Sequence, residues 1–321
     1  MVLAILPAFL ASLWVFGALS FDGPGIWLAA LAMLCLLAVM IWQKFRWRAW
    51  AVWGVCTAAT LIWWLSLKPS AVAAWQPDVA HVPAAEIDGD IVTLRNVRDF
   101  EYRSDTDFTP RWTTREVRLS SITGVDIAIN YWGSPWMAHP IVSFQFSDSP
   151  PLAFSIETRK RAGQSYSAIG GLYRQYPLIF IVAEERDVMR VRTNYRKGED
   201  VYLYRTSLTP DQARLRFREY LASINQMREK PRWYNAVTTN CTTSIRNQHP
   251  STERPPWDWR MLLNGKMDEM LYDLKAIRTA RLPFPELKQR SLINPAAKAA
   301  GDDPRFSELI RAAHPGYREP E

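Results

Sequence analysis

Three apolar runs, Met1 to Phe21, Ile26 to Gln43 and Ala49 to Leu67, constrain this chain before any other feature. Each approaches the roughly 20 helical residues needed to cross a bilayer core, where backbone polar groups must be paired within the helix. They explain why 48% of residues are hydrophobic while mean hydropathy is only −0.18: the apolar residues are concentrated. Trp14, Trp27, Trp42, Trp47, Trp50, Trp63 and Trp64 gather towards the ends of these runs, as interfacial aromatics do. The first run lacks a preceding Lys or Arg and a clean small-residue cleavage site, so it reads as a retained helix rather than a signal peptide.

The loops set the orientation. Phe21-Asp22-Gly23-Pro24-Gly25 carries one acid and no base, whereas Lys44-Phe45-Arg46-Trp47-Arg48 carries three bases and is expected to face the cytoplasm. Three crossings then leave the N-terminus inside and everything beyond Leu67 outside; Lys68 is a single basic exception. A formal net charge of +7 comes without any nucleic-acid motif, so no nucleic-acid partner is expected. Basic residues among aromatics on an outward-facing domain suit anionic lipid headgroups instead.

Residues 1–72 therefore read as a membrane anchor with helices at about 1–21, 26–43 and 49–67, and Lys68 to Ala74 as a linker. Residues 75–250 read as an extracytoplasmic α+β domain, and 251–321 as a helical extension with a polar, loosely packed tail. Strand patterns fall at Asp90–Leu94, Arg115–Leu119, Val125–Tyr131, Ile141–Phe146, Leu152–Glu157, Leu178–Val182 and Val201–Tyr204. Thr209-Pro210-Asp211-Gln212 predicts a capped helix running to about Met227, with Leu215, Tyr220, Leu221 and Ile224 for its buried stripe. A second helix is expected from near Cys241 to before Pro250, and a third over Trp259–Arg278.

Cys35 and Cys56 lie in the apolar runs, so Cys241 is the one thiol of the outer region and cannot form an internal disulfide there. Thr239 and Asn240 are capping residues, which puts Cys241 in a first helical turn, where unpaired N–H groups favour a thiolate or a developing oxyanion. A buried filler is the bland alternative. His139 is the histidine placed to serve as a base, because His81 lies in a linker, His249 adjoins Pro250 and His314 falls in the tail.

Ser147-Asp148-Ser149-Pro150-Pro151 is turn chemistry between two strands. Val142, Phe144 and Phe146 share one face with Leu152, Phe154 and Ile156. Ser143, Gln145, Ala153, Ser155, Glu157 and His139 then share the other, a polar face with His139 and Glu157 opposite or diagonal. The competing use of Glu157 is a solvent pair with Arg159 or Lys160. Glu184-Glu185-Arg186-Asp187 reads as a salt-bridged turn, and Arg174 and Gln175 as structural or as substrate contacts. Dispersed histidines and one outer thiol make no metal site.

Trp136-Met137-Ala138-His139, Phe154-Ser155-Ile156-Glu157-Thr158-Arg159, Gly171 to Tyr176, Val201 to Tyr204, Trp233-Tyr234-Asn235 and Thr239-Asn240-Cys241-Thr242-Thr243 occur in that order. This array resembles the extracytoplasmic domain of the Lnb-type lipoprotein N-acyltransferase family. The resemblance implies a permuted papain-like, NlpC-type fold, with an antiparallel sheet and a helix bearing the cysteine. It implies Cys241 as nucleophile, His139 as base and Glu157 as its orienter, with Asn240, Arg174 and Gln175 as candidates for oxyanion or substrate contacts. It further implies a bacterial inner-membrane protein with a periplasmic domain, membrane lipids and lipoproteins as partners, and no cofactor. The expected reaction moves an acyl chain from a lipoprotein's diacylglyceryl sn-2 ester to an amine. A cysteine hydrolase of the envelope and a non-catalytic lipid- or partner-binding protein are the competing functions.

Overall fold

The three apolar runs form helices α1 (Val2–Phe21), α2 (Ile26–Ile41) and α3 (Arg46–Ser66). The computed structural model describes residues 2–23, 25–41, 46–239, 243, 245–246 and 257–317, with the backbone alone at 2–5, 36–41 and 46. These divide into two units. One comprises Met1–Ala74, Lys160–Pro177 and Pro231–Val237, and the other Trp75–Arg159, Leu178–Lys230 and Thr238–Glu321.

In the helical unit, one helix rather than three is long and apolar enough to cross a membrane among the described residues, namely Trp47–Ser66. Leu6–Phe21 and Ile26–Cys35 are apolar but shorter. Side-chain hydrogen bonds join α3 to α1 and the turn after it: Trp53 Nε1 donates to Ser12 Oγ at 2.9 Å, and Trp64 Nε1 to Asp22 Oδ2 at 2.8 Å. Tyr173 stacks on Phe21 with ring centroids 5.1 Å apart. A Cβ at Gly17 would lie 1.8 Å from Tyr173 Oη, so α1 must be bare at that position. Segment 231–237 pairs with 160–177 through Tyr234 N to Tyr176 O (2.9 Å) and Ala236 N to Gly171 O (2.8 Å).

The second unit is built on a sheet of β1 (Ala84–Asp88), β2 (Ile91–Arg98), β5 (Trp112–Arg118), β6 (Ile122–Trp132), β7 (Ser134–Phe146), β8 (Leu152–Thr158), β9 (Leu178–Glu184) and β10 (Glu199–Arg205). The order is β1-β2-β9-β8-β7-β6-β10, with β5 also on β2; β3 (Glu101–Tyr102) and β4 (Phe108–Thr109) pair separately. The expected antiparallel sheet is in fact mixed, because β2 meets β9 in parallel at Arg98 and Ala183.

One face receives α5 (Pro210–Glu229). Its N-terminus is fixed by the expected capping box: Gln212 N donates to Thr209 Oγ1 and Thr209 N to Gln212 Oε1. Phe217 and Tyr220 pack edge-on against Phe144 and Phe154 of the central strands. The buried stripe is Ala213, Phe217, Tyr220, Leu221, Ile224 and Met227. Leu215, expected within it, is exposed because it stands about 200° round the helix from Ala213.

The opposite face is covered as well, which overturns the reading of the tail as polar and loose. After α4 (Glu185–Val188), α6 (Met267–Asp273) and α7 (Phe284–Arg290), the chain forms α8 (Asn294–Ala300) and α9 (Phe306–Leu309). Ile293, Ala297, Ala300, Phe306 and Ile310 pack there with Ala128, Ile141, Ala153, Ile181 and Leu203. Turns this short carry too few apolar residues to display a helical period.

The expected helix over Trp259–Arg278 is broken. Asn264 Oδ1 accepts from Ala138 N at 3.1 Å, and a Cβ at Gly265 would come within 2.4 Å of the Pro135 and Trp136 backbone. Docking against β7 therefore takes precedence over helix continuity.

Charged groups lock the tail in place. Arg311 donates to Asp126 Oδ2 at 2.8 Å and to Glu185 Oε2 at 2.7 Å, and Arg205 to Asp126 Oδ1 at 3.0 Å. Removing one partner of a buried pair strands the other. Arg311→Ala is expected to cost about 3–5 kcal/mol of stability, measured by denaturant unfolding of the purified chain, with faster proteolysis in the 290–317 region.

Candidate active site

Pairing of β7 with β8 brings the candidate residues together. Ile141 pairs with Ser155 and Val142 with Phe154, and continuing that register sets His139 across from Glu157. The two do not touch directly. Ser155, 1% exposed, stands between them: its Oγ lies 2.7 Å from His139 Nε2 and donates to Glu157 Oε1 at 2.7 Å. The face that sequence parity marks as polar is therefore a buried face whose polar end carries this row.

Glu157 does not pair with Arg159 or Lys160 in solvent. Arg159 donates to the Val79 and Ala80 carbonyls at 3.0 and 2.7 Å and lies over the Trp75 ring. The partner of Glu157 is Arg192, whose Nη2 donates to Oε1 at 3.1 Å. Arg192 projects from a π-type turn at Val191–Tyr195 and is held by a second bond, Nη1 to Val188 O at 2.7 Å. No sequence period announces a π turn, so this residue was beyond pattern reading. Ser155 was on the correct face but indistinguishable from its neighbours.

The charges have a definite order. Burial acts to raise the Glu157 carboxyl, but Arg192, then Arg98, His139 and the Ser155 hydroxyl overcome it and hold the group well below the usual carboxylate range. Burial and then the positive charge of Arg192 push His139 down to about 4, against the pull of Glu157. The row thus holds a neutral imidazole beside a shielded carboxylate at neutral pH.

Cys241 and Asn240 lie outside the described residues, as does most of the helix expected there; Thr243, Ile245 and Arg246 are helical. Arg174 and Gln175 belong to the helical unit. Gln175 Nε2 donates to Asp22 Oδ1 at 2.7 Å, and Arg174 donates through its backbone N to Asp22 Oδ2 at 3.0 Å and through Nη1 to Leu65 O at 3.2 Å. The guanidinium of Arg174 also lies 4.2 Å from the Trp64 ring centre. His314 is buried rather than in a loose tail, and burial lowers it to about 4. The charges of Glu184-Glu185-Arg186-Asp187 are salt-bridged, but to Arg115, Arg311, Asp99 and Arg98 respectively, across the fold rather than within the turn.

Residues 108–265, a little under half of the chain, match the family model of the Lnb N-terminal periplasmic domain. The chain contains an Lnb-type domain. No curated protein and no solved structure matches it. The Lnb-type segment takes in His139, Ser155, Glu157, Arg192 and Cys241. A periplasmic-domain family joined to an apolar helix of crossing length fits an envelope membrane protein.

In the unfolded chain the His139 site takes up a proton below about 6.5, whereas in the folded Lnb-type domain it does so only at about 4. Stability should therefore fall as pH drops through that window, by up to about 1.4 kcal/mol per pH unit for one such group. His314 contributes a slope of the same sign. Arg192→Met is expected to raise the His139 pKa part of the way towards 6.5, burial being the larger cause, and to make the slope shallower. Histidine NMR titration and unfolding free energies from pH 4 to 7 provide the check.

Proposed function

We propose that the chain is a membrane-anchored thiol acyltransferase of the bacterial envelope, with Cys241 as nucleophile, His139 as base and Glu157 orienting it. The observation that carries this reading is the row His139–Ser155–Glu157–Arg192 inside an Lnb-type domain that also contains Cys241. The histidine strand precedes the cysteine in the chain, as in a permuted papain-like arrangement. In this reading α1 and α2 join α3 in the bilayer, with the N-terminus cytoplasmic and the domain periplasmic. Leu6, Phe9, Leu13, Leu31, Val55 and Ile62 are exposed on these helices, which suits lipid contact.

The proposed reaction is the one the Lnb-type resemblance implies. A neutral His139 takes the Cys241 proton as sulfur attacks the sn-2 ester of a lipoprotein's diacylglyceryl group. The ester C–O bond breaks, the imidazolium protonates the departing alcohol, and an acyl-thioester remains on Cys241. The free α-amine of the same lipoprotein then attacks the thioester, His139 accepts the amine proton, and sulfur leaves to be reprotonated. The products are an N-acylated lyso-lipoprotein and the restored thiol. Trp136 and Met137 are exposed on β7 just before His139 and offer apolar surface to the acyl chain.

Incubated with a diacylated lipoprotein and stopped with acid, the enzyme should carry one hydroxylamine-sensitive acyl group on Cys241, located by peptide mass spectrometry. Cys241→Ala should lose both this adduct and the N-acyl product. An adduct resolved by water without N-acyl product would assign a hydrolase. A Cys241→Ala chain that still forms N-acyl lipoprotein would sink the proposal.

A further inference from the structure

We propose that Ser155 is a positioning residue that fixes the tautomer of His139, so that Nδ1 is the basic nitrogen of the ring. The inference deepens the catalytic reading of His139 and rests on it for its kinetic consequence.

The argument is an accounting of protons. Ser155 has one hydroxyl proton, and its Oγ lies 2.7 Å from both His139 Nε2 and Glu157 Oε1. Arg192 donates to that same Oε1 at 3.1 Å, so the carboxylate stays ionised and can only accept. Ser155 must therefore donate to Glu157 and present a lone pair to the ring. Nε2 must then carry the ring proton, and in a neutral imidazole the basic nitrogen is Nδ1. Arg192 thus selects the tautomer from three hydrogen bonds away.

The serine also separates charge from orientation. A carboxylate bonded directly to the ring would orient it and stabilise its cationic form at once. With a hydroxyl interposed, orientation passes along the row while the full negative charge stays one bond further off. Arg192 faces that charge and helps to keep the imidazole neutral. Glu157, Arg192, Arg196 and Arg98 are the charged groups bearing on this row.

Long-range 1H–15N correlation of selectively labelled histidine in the full chain, with His139 assigned through His139→Gln, reads the tautomer. The Cys241→Ala background keeps turnover out of the measurement. The native row should show the Nε2–H form, and Ser155→Ala should convert it to a mixture with Nδ1–H. In the Cys241 enzyme, Ser155→Ala should lower kcat by about 10²-fold, leave KM within about 2-fold, and be restored most of the way by Ser155→Thr. A native Nδ1–H ring overturns the relay without needing any variant to fold, as does Ser155→Ala with an unchanged tautomer. Neither result bears on whether Cys241 carries an acyl group, and loss of the Cys241 adduct would leave the tautomer result standing.

Discussion

The register between β7 and β8 is the constraint on which the second unit depends. With Val142 opposite Phe154 and Ile141 opposite Ser155, one face sends Phe144 and Phe154 to Phe217 and Tyr220. The other sends Ile141 and Ala153 to the cluster that includes Ile293, Ala297 and Phe306. A slip of one residue would turn every side chain of a strand over. It would turn Phe144 or Phe154 away from α5 and remove Ser155 from between His139 and Glu157. Core and candidate site are thus specified by the same pairing, and packing on both faces defends the alignment of the polar row.

Burying charge on a sheet face is costly unless each ion is paired and hydrogen-bonded. Here the requirement is met by arginines reaching from distant segments. Arg192 comes from the turn after β9, Arg98 from the end of β2 and Arg311 from beyond α9. Each meets a carboxylate on or beside the central strands: Glu157, Asp187 and Asp126 with Glu185. The C-terminal segment therefore supplies both apolar cover and counter-charge. That explains why a stretch of polar composition is ordered against the sheet.

What was legible in the sequence follows from the range of the interactions involved. Alternation in Ile141–Phe146 and Leu152–Glu157 gave the hairpin and its faces, because strand parity is local. Thr209 to Gln212 gave the start of α5 for the same reason: a capping box spans four residues. Leu215 was misplaced because Phe217, not Leu215, lies on the stripe. The break at Asn264-Gly265 was invisible because its cause is the backbone of β7, over a hundred residues away in sequence. Arg192 was hidden likewise, since nothing in its neighbourhood names Glu157 as its partner.

The candidate site illustrates why residue type alone underdetermines chemistry. A histidine opposite a glutamate suggests a direct pair with a raised imidazole pKa. The structure interposes Ser155 and adds Arg192, and burial with that cation pushes His139 down instead. The ring therefore rests uncharged at neutral pH, with Glu157 committed to Ser155 and Arg192. Strand parity thus shows which face a residue shares, while the charge it carries there is set by neighbours that parity does not name.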